Sequence, residues 1–541
     1  MKRSLRIAAA FCCAAVFVML FSGCRLFPNG GDFVLKADRY YIQPTGSDDP
    51  TLFFYDKDGN EIKATSVTVY ADGERCPRRR VTSTEEGKLT VYAEYQGMRS
   101  NTIFIEAAYN SDLPVIIVET GKKRVNQAFP VEGSFSLYDV GKDGVTLYGG
   151  NCKPDVVSPC TINIRGQSSA LIYDKKQYKI HLQNEDGSNN NVSLLGMPAE
   201  NDWIINGTYG DTTVMHNYFV YTLESQMEFG WAPRVRFVEV YITSDKDNMD
   251  DNDYLGLYVL TESIKADGDR VDVTKGDRST EPDQIGYIFK KDKGVERNEA
   301  INTSYDTYGI VYPNASEATR TQKQYLQGKI QEFEDTLYGD NFKDPFEGYR
   351  AYIDADSYID TVLLTELTKN VDGVRLSTYF SLDAGGKIKS GPAWDFDISC
   401  GTCNYGMDLE KPEKFVCLDP NYRYPDRHEG NPDAYLWLDR MMEDEWFRAR
   451  LVERYRMWRK TAFAEENIQT IIDATYHTAF SAATRNGTRW PKLYNGSELW
   501  PNPVHYHSYT DAVNGLKTWL HERLAWLDEN IGWVSGEKDR Y

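Results

Sequence analysis

The sequence predicts an α+β chain, a small all-β sandwich followed by a larger domain of mixed strands and helices. Three observations carry this prediction. Between Phe33 and about Glu106, short alternating runs (TLFFYD, SVTVYA, LTVYAEY, TIFIEA) are separated by the turn segments DKDGN, ADGE and TEEG, as in a sandwich of short strands. From Leu113 onward, strand-like runs such as LPVIIVET give way to stretches with three-to-four apolar spacing, among them Phe447, Leu451, Tyr455 and Trp458. Between these, Ile353 to Cys400 gathers carboxylates along what reads as helix, loop, hairpin and acidic strand end. A chain of 541 residues exceeds one ordinary core, so two or three domains are expected.

The first 23 residues stand apart. Lys2, Arg3 and Arg6 precede an apolar run from Ile7 to Phe21, and Ser-Gly-Cys24 follows. This resembles a bacterial lipoprotein signal peptide, cleaved before Cys24, whose thiol would then carry lipid and anchor the chain to a membrane surface outside the cytoplasm. Residues 24–32 form a short lipidated tether. Residues 33–108 then read as a sandwich of immunoglobulin-like type, and with no convergent acid, base or nucleophile they read as a spacer or adhesion module. The formal charge of −20 excludes nucleic acid as a partner, because an acidic surface cannot neutralise a phosphate backbone by releasing counterions. Six cysteines follow Cys24; an exported chain permits disulfides, and Cys152 and Cys160, flanking a short loop, are the best candidate pair.

In the large domain, residues 112–541, Thr161-Ile-Asn-Ile-Arg165 reads as a strand that runs into Gly166-Gln-Ser168-Ser169. Such a loop offers a guanidinium, two hydroxyls and backbone N–H groups to an anion. Next, Lys175 to Leu182 alternates: Lys175, Gln177, Lys179 and His181 share one face, and Lys176, Tyr178, Ile180 and Leu182 the other. Alternation therefore points Lys176 toward the core side, where a charge needs a purpose. A helix is expected from about Asp211 to Gln226, strands at Val238–Ile242 and Tyr254–Leu260, and Trp203 in the core.

The acidic centre organises the rest. Asp354 or Asp356 caps a helix bearing Ile359, Val362, Leu363 and Leu367, which stops near Asn370 and Gly373. Asp372 falls on the loop that leaves it. Leu376 to Leu382 alternates as a strand, Asp-Ala-Gly-Gly turns the chain into Lys387–Ser390, and Asp395 and Asp397 alternate along a Trp-Asp-Phe-Asp strand beyond. One carboxylate after a helix and two after a hairpin can converge on a hard cation that binds phosphate oxygens. This is the order in which protein kinases present their catalytic and metal-binding aspartates.

Taken in order, RGQSS, KKQYKI, GLYVLTESIK, NVDG, the STYF strand and GKIKSGPAWDFD resemble the spore-coat protein H (CotH) kinase family over roughly Leu113 to Tyr541. The resemblance implies an atypical two-lobed kinase fold and transfer of the ATP γ-phosphoryl group, with Mg2+, to hydroxyls of surface or secreted proteins. It implies Asp372 as proton acceptor, Asp395 and Asp397 as metal ligands, and Arg165, Ser168 and Ser169 near the phosphates. It also implies that Lys175 or Lys176 reaches phosphate, with Glu262 pairing that lysine. Where kinases place a metal-binding Asn five residues after the catalytic Asp, this chain has Ser377, a weaker ligand. Two competing readings are a non-catalytic surface adhesin or assembly protein on a kinase-like scaffold, and a carbohydrate kinase.

Overall fold

The computed structural model describes residues 31–150, 152–228, 230–246, 249–404, 408–419, 436–497 and 499–539. The expected signal peptide and Cys24 lie outside them. Among the described residues no helix is long and apolar enough to cross a membrane. The chain divides into two compact units between Asn110 and Ser111.

Up to Asn110 the unit is all-β. Tyr41–Ile42, Ile103–Ala107, Gly87–Tyr95, Thr68–Ala71 and Glu74–Arg75 lie side by side in that order, Met98–Arg99 pairs with Gly87–Tyr95, and Val34–Ala37 pairs with Leu52–Tyr55. Alternation divides the faces. Val69, Val91, Ala93 and Ile105 are buried in one core with Phe33, Leu35 and Phe54, while Tyr70 and Tyr92 stack as a cross-strand pair and Arg99 lies 3.6 Å over Tyr92.

The second unit begins with a closed barrel. Its strands run in the order Val115–Glu119, Val131–Tyr138, Val156–Arg165, Gln177–Leu182, Asp202–Asn206, Tyr254–Glu262, Val235–Thr243 and back to the first; this last pairing is parallel and the others antiparallel. Every second residue faces inward: Ile116, Val118, Phe135, Ile162, Tyr178, Ile180, Leu182, Trp203, Val238, Tyr258 and Leu260 fill the interior. Trp203 is fully buried and donates its indole N–H to the Glu200 carbonyl, 3.0 Å. Cys160 is a buried free thiol on the third of these strands, so the expected Cys152–Cys160 pair is not formed.

Two short helices leave the barrel, α1 (Ser168–Ile172) and α2 (His216–Glu224). The helix expected from Asp211 starts five residues later because the buried Asp211 carboxylate takes the N–H groups of Thr213 and His216, both at 2.8 Å, and so holds residues 211–215 as a turn. A second, antiparallel sheet follows, ordered Ala300–Asn302, Thr307–Tyr312, Tyr287–Lys291, Thr378–Leu382, Ile388–Ser390. It packs with α3 (Arg320–Tyr338), α4 (Ala355–Thr368), α5 (Leu436–Met442), α6 (Glu445–Trp458), α7 (Glu465–Arg489) and α8 (Tyr509–Asn530) around one large apolar core. Within it, α4 is buried on nearly all sides. The Asp360 carboxylate of α4 is paired with Arg454 at 2.5 Å and accepts the Trp458 indole N–H at 2.8 Å.

Candidate functional site

Between the barrel and the helical part lies a cleft of about 680 Å³, a volume suited to a small organic ligand. From the barrel it receives Arg165, Gly166, Gln167, Ser168, Ser169 and Gln177; from the second sheet and the segments around it, Lys290, Asp292, Lys293, Asp372, Arg375, Ser377, Tyr379, Trp394, Asp395 and Asp397; and from the loop before α8, Trp500 and Pro501. Seven of the residues singled out from the sequence therefore meet in one place: Arg165, Ser168, Ser169, Asp372, Ser377, Asp395 and Asp397.

Local sequence explains how each arrives. Arg165 closes the strand Val156–Arg165, and its guanidinium donates to Gln177 Oε1 at 3.1 Å and lies 5.7 Å from the Trp394 ring. Gly166 follows at φ +96, and a Cβ there would stand 2.2 Å from Ser169 Oγ; only glycine allows this turn to close on the serine. Gln167 ties the turn to the second sheet by donating to the Lys293 carbonyl, 3.1 Å.

Asp354 caps α4 by accepting the Ser357 N–H at 3.2 Å, and the helix ends at Lys369 in the left-handed conformation. Asn370 Oδ1 then takes the Asp372 N–H at 3.1 Å and fixes the turn. Gly373 packs against α4 so closely that a Cβ would stand 2.4 Å from Thr365 Oγ1. Arg375, buried, donates to Asp372 Oδ1 at 2.9 Å and to the Val371 carbonyl at 3.1 Å. The Asp372 side chain keeps 19% of its surface exposed. Burial raises its carboxyl above the ordinary aspartate value, opposed by Arg375 and Lys293 and reinforced by the charges of Asp395 and Asp292.

The hairpin forms as the alternation requires, with Phe380 opposite Ser390. The segment after it does not form the expected Trp-Asp-Phe-Asp strand. Residues 391–397 are irregular, and Asp395 sits at φ +66, a backbone conformation that breaks strand alternation and lets both aspartates reach the same cleft. Burial and the neighbouring Asp395 charge raise Asp397 well above the ordinary range, and Asp211 adds to the effect.

Three expected phosphate-side residues are placed elsewhere. Lys175, 2% exposed, donates to the Leu257 carbonyl and to Asn486 Oδ1 (3.0 Å) and lies 4.4 Å from the centre of the Tyr258 ring, which ties the barrel to α7. Lys176 curls back onto the carbonyls of Ala170 (2.9 Å) and Tyr173 (2.5 Å). The strand begins only at Gln177, so the alternation that pointed Lys176 inward does not extend to it. Glu262, fully buried, binds Arg234 and Arg270, both at 3.1 Å, rather than a lysine. None of the three lines the cleft.

The cations that do line it are Arg165, Lys290, Lys293 and Arg375. Lys290 pairs with Asp292 at 3.2 Å and stands beside Tyr379 in the sheet register. The sequence gives no sign of Lys290, Asp292 and Lys293: Phe289-Lys-Lys-Asp-Lys293 carries four charges, but nothing local shows that this segment meets the Arg165 loop.

Among the described residues there is no group of three or more His, Cys, Asp or Glu side chains spaced to hold a metal ion by themselves. Mg2+ asks for less: one or two carboxylates, with waters and phosphate oxygens completing its shell. Asp395 and Asp397 meet that demand, and the crowding of negative charge that raises Asp397 is what a dication would relieve.

No curated protein matches the chain. Among solved structures, a match to the structure of surface layer protein SbsC, domains 4-9, is 14% identical, covers 42% of this chain and 42% of that one, and has a TM-score of 0.15, too low to inform on fold or role. The family comparison is of another kind: the model of the CotH kinase protein family matches residues 162–527, about two thirds of the chain, from the barrel strand leading to Arg165 through the acidic loop to α8, and the chain belongs to that family.

Proposed function

We propose that the protein is a phosphotransferase that moves the γ-phosphoryl group of ATP, with Mg2+, to hydroxyl groups of surface or secreted proteins. One observation carries this reading: in a chain of the CotH kinase family, the Arg165–Ser169 loop and the acids Asp372, Asp395 and Asp397 line a single cleft. The barrel and the sheet-plus-helix part are read as the two lobes of a kinase-like fold.

Arg165, Ser168 and Ser169 would hold phosphate oxygens through charge-assisted and hydroxyl hydrogen bonds. Lys290 and Lys293 take the place of the expected lysine at position 175 or 176 in neutralising charge. Asp395 and Asp397 would hold the metal, Ser377 would lend its hydroxyl, and Mg2+ would supply charge neutralisation across the phosphate oxygens. Asp372 would accept the proton of the attacking hydroxyl. Arg375 engages its Oδ1, so the proton would pass to Oδ2, and the raised affinity of this carboxyl for a proton suits a general base. The signal segment and Cys24 support a lipid-anchored place outside the cytoplasm, with the first 110 residues as an immunoglobulin-like spacer.

Nucleotide binding tests the reading. The melting temperature of the purified protein should rise with ATP plus Mg2+ and stay unchanged with either alone. The absence of any such shift would return the chain to the reading of a non-catalytic surface protein.

A further inference from the structure

The acidic loop is held from behind by one face of α2. Asn217, Tyr221 and Glu224 stand at i, i+4 and i+7 on this helix, so they share a stripe. Each accepts one backbone N–H from the loop: Phe396 N–H to Asn217 Oδ1 at 2.7 Å, Asp395 N–H to Tyr221 Oη at 3.3 Å, and Ala393 N–H to Glu224 Oε1 at 2.6 Å. The Tyr221 ring also stacks on Trp394, centroids 6.1 Å apart and planes 17° apart.

These bonds meet a need of the loop. Asp395 has φ +66, a conformation that a non-glycine residue keeps only when its surroundings over-determine it. The helix bears a cost in turn. Asn217, Tyr221 and Glu224 are at most 2% exposed, and among the described residues Asn217 Nδ2 and Glu224 Oε2 find no hydrogen-bond partner. Buried polar atoms of that kind are expensive, and a helix face chosen for packing alone would not carry them. Burial pushes the Glu224 carboxyl up to about 8, in keeping with a group that serves as an acceptor rather than as a charge.

The geometry points to Asn217, Tyr221 and Glu224 as a positioning clamp that holds the Asp395–Asp397 loop in its metal-binding conformation. The inference rests on the reading of those aspartates as metal ligands, but the clamp itself is measurable without metal. Supporting groups one step behind metal ligands are typically worth 10- to 100-fold in metal affinity.

The test uses the full chain and three variants. Tyr221→Phe removes one hydroxyl and keeps the stacked ring, Glu224→Ala removes an acceptor, and Glu224→Gln keeps it. Hydrogen exchange of the metal-free proteins should show faster amide exchange across residues 391–397 in Tyr221→Phe and Glu224→Ala, with the hairpin before the loop unchanged and Glu224→Gln at parental protection. Mn2+ affinity in the presence of ADP, read by electron paramagnetic resonance, should fall about tenfold or more in the first two and recover in Glu224→Gln. Unchanged exchange in Tyr221→Phe overturns the clamp, as does parental Mn2+ affinity in a variant whose loop exchanges faster. A parent with protected 391–397 amides and no Mn2+–ADP binding instead removes the reading of the aspartates, and the clamp's metal-binding purpose with it. Should Glu224→Ala fail to fold, Tyr221→Phe and Glu224→Gln still decide the matter.

Discussion

Replacing Lys175 by Met should change stability in a pH-dependent way and leave nucleotide binding alone. Burial lowers the Lys175 amine from 10.5 to about 7, so the folded protein prefers it neutral. Between those two values the unfolded chain binds the proton and the folded chain does not. The parent's stability therefore rises with pH across that window, by about 2 kcal/mol from pH 7 to pH 9. Met fills similar space but carries no proton, so the variant lacks this rise. It also takes the donor from the Leu257 carbonyl and leaves Asn486 Oδ1 with only the Leu257 N–H, 3.1 Å, a cost of about 1–3 kcal/mol. Urea denaturation at both pH values should therefore show the variant to be the less stable protein at pH 9, with the gap narrowing by about 2 kcal/mol at pH 7. The other groups titrate alike in both proteins and cancel. ATP affinity measured with Mg2+ should match the parent at each pH. A stability gap independent of pH, or a folded variant that no longer binds nucleotide, would refute the assignment of Lys175 as a buried strut.

Three further outcomes are expected. Asp372→Asn should bind ATP as the parent does while turnover falls roughly 10²- to 10⁴-fold, the usual worth of a positioned base; single-turnover phosphate transfer beside equilibrium binding separates the two. Deleting residues 24–108 should leave Mg2+-dependent nucleotide binding intact by calorimetry, since the lining of the cleft lies wholly within the second unit. Cys24→Ser should shift the protein out of the membrane fraction with its fold unchanged by circular dichroism, and an acyl label should be found on Cys24 of the parent.

What the sequence disclosed follows the range of the forces involved. The cap at Asp354, the stop after Thr368 and the hairpin turning through Asp383–Gly386 depend on neighbours a few residues away, and all three form. The inward face Tyr178, Ile180 and Leu182 was equally legible from alternation. Lys176 was misplaced because alternation was carried past the strand's start at Gln177. Trp-Asp-Phe-Asp imitates a strand, yet the N–H groups of Asp395 and Phe396 are taken by Tyr221 and Asn217, about 175 residues earlier in the chain, instead of by a neighbouring strand. The arginines that bind Glu262 and the meeting of Lys290 with the Arg165 loop are likewise tertiary facts with no local trace. The helix, loop and hairpin pattern supplied the order of the acids, and the strand end supplied Arg165; geometry alone supplied Lys290, Lys293 and Arg375.

In the proposed reaction Asp395 and Asp397 bring a metal-bound nucleotide to Asp372. Its most direct test is incubation of the purified protein and of Asp395→Asn with γ-labelled ATP, Mg2+ and cell-surface protein fractions. Label should be transferred to protein hydroxyls by the parent, abolished by chelation of Mg2+, and lost in a folded Asp395→Asn whose ATP binding has weakened with its metal binding. Transfer by Asp395→Asn at the parental rate would contradict the proposal, as would a parent that neither binds Mg2+–ATP nor labels any acceptor.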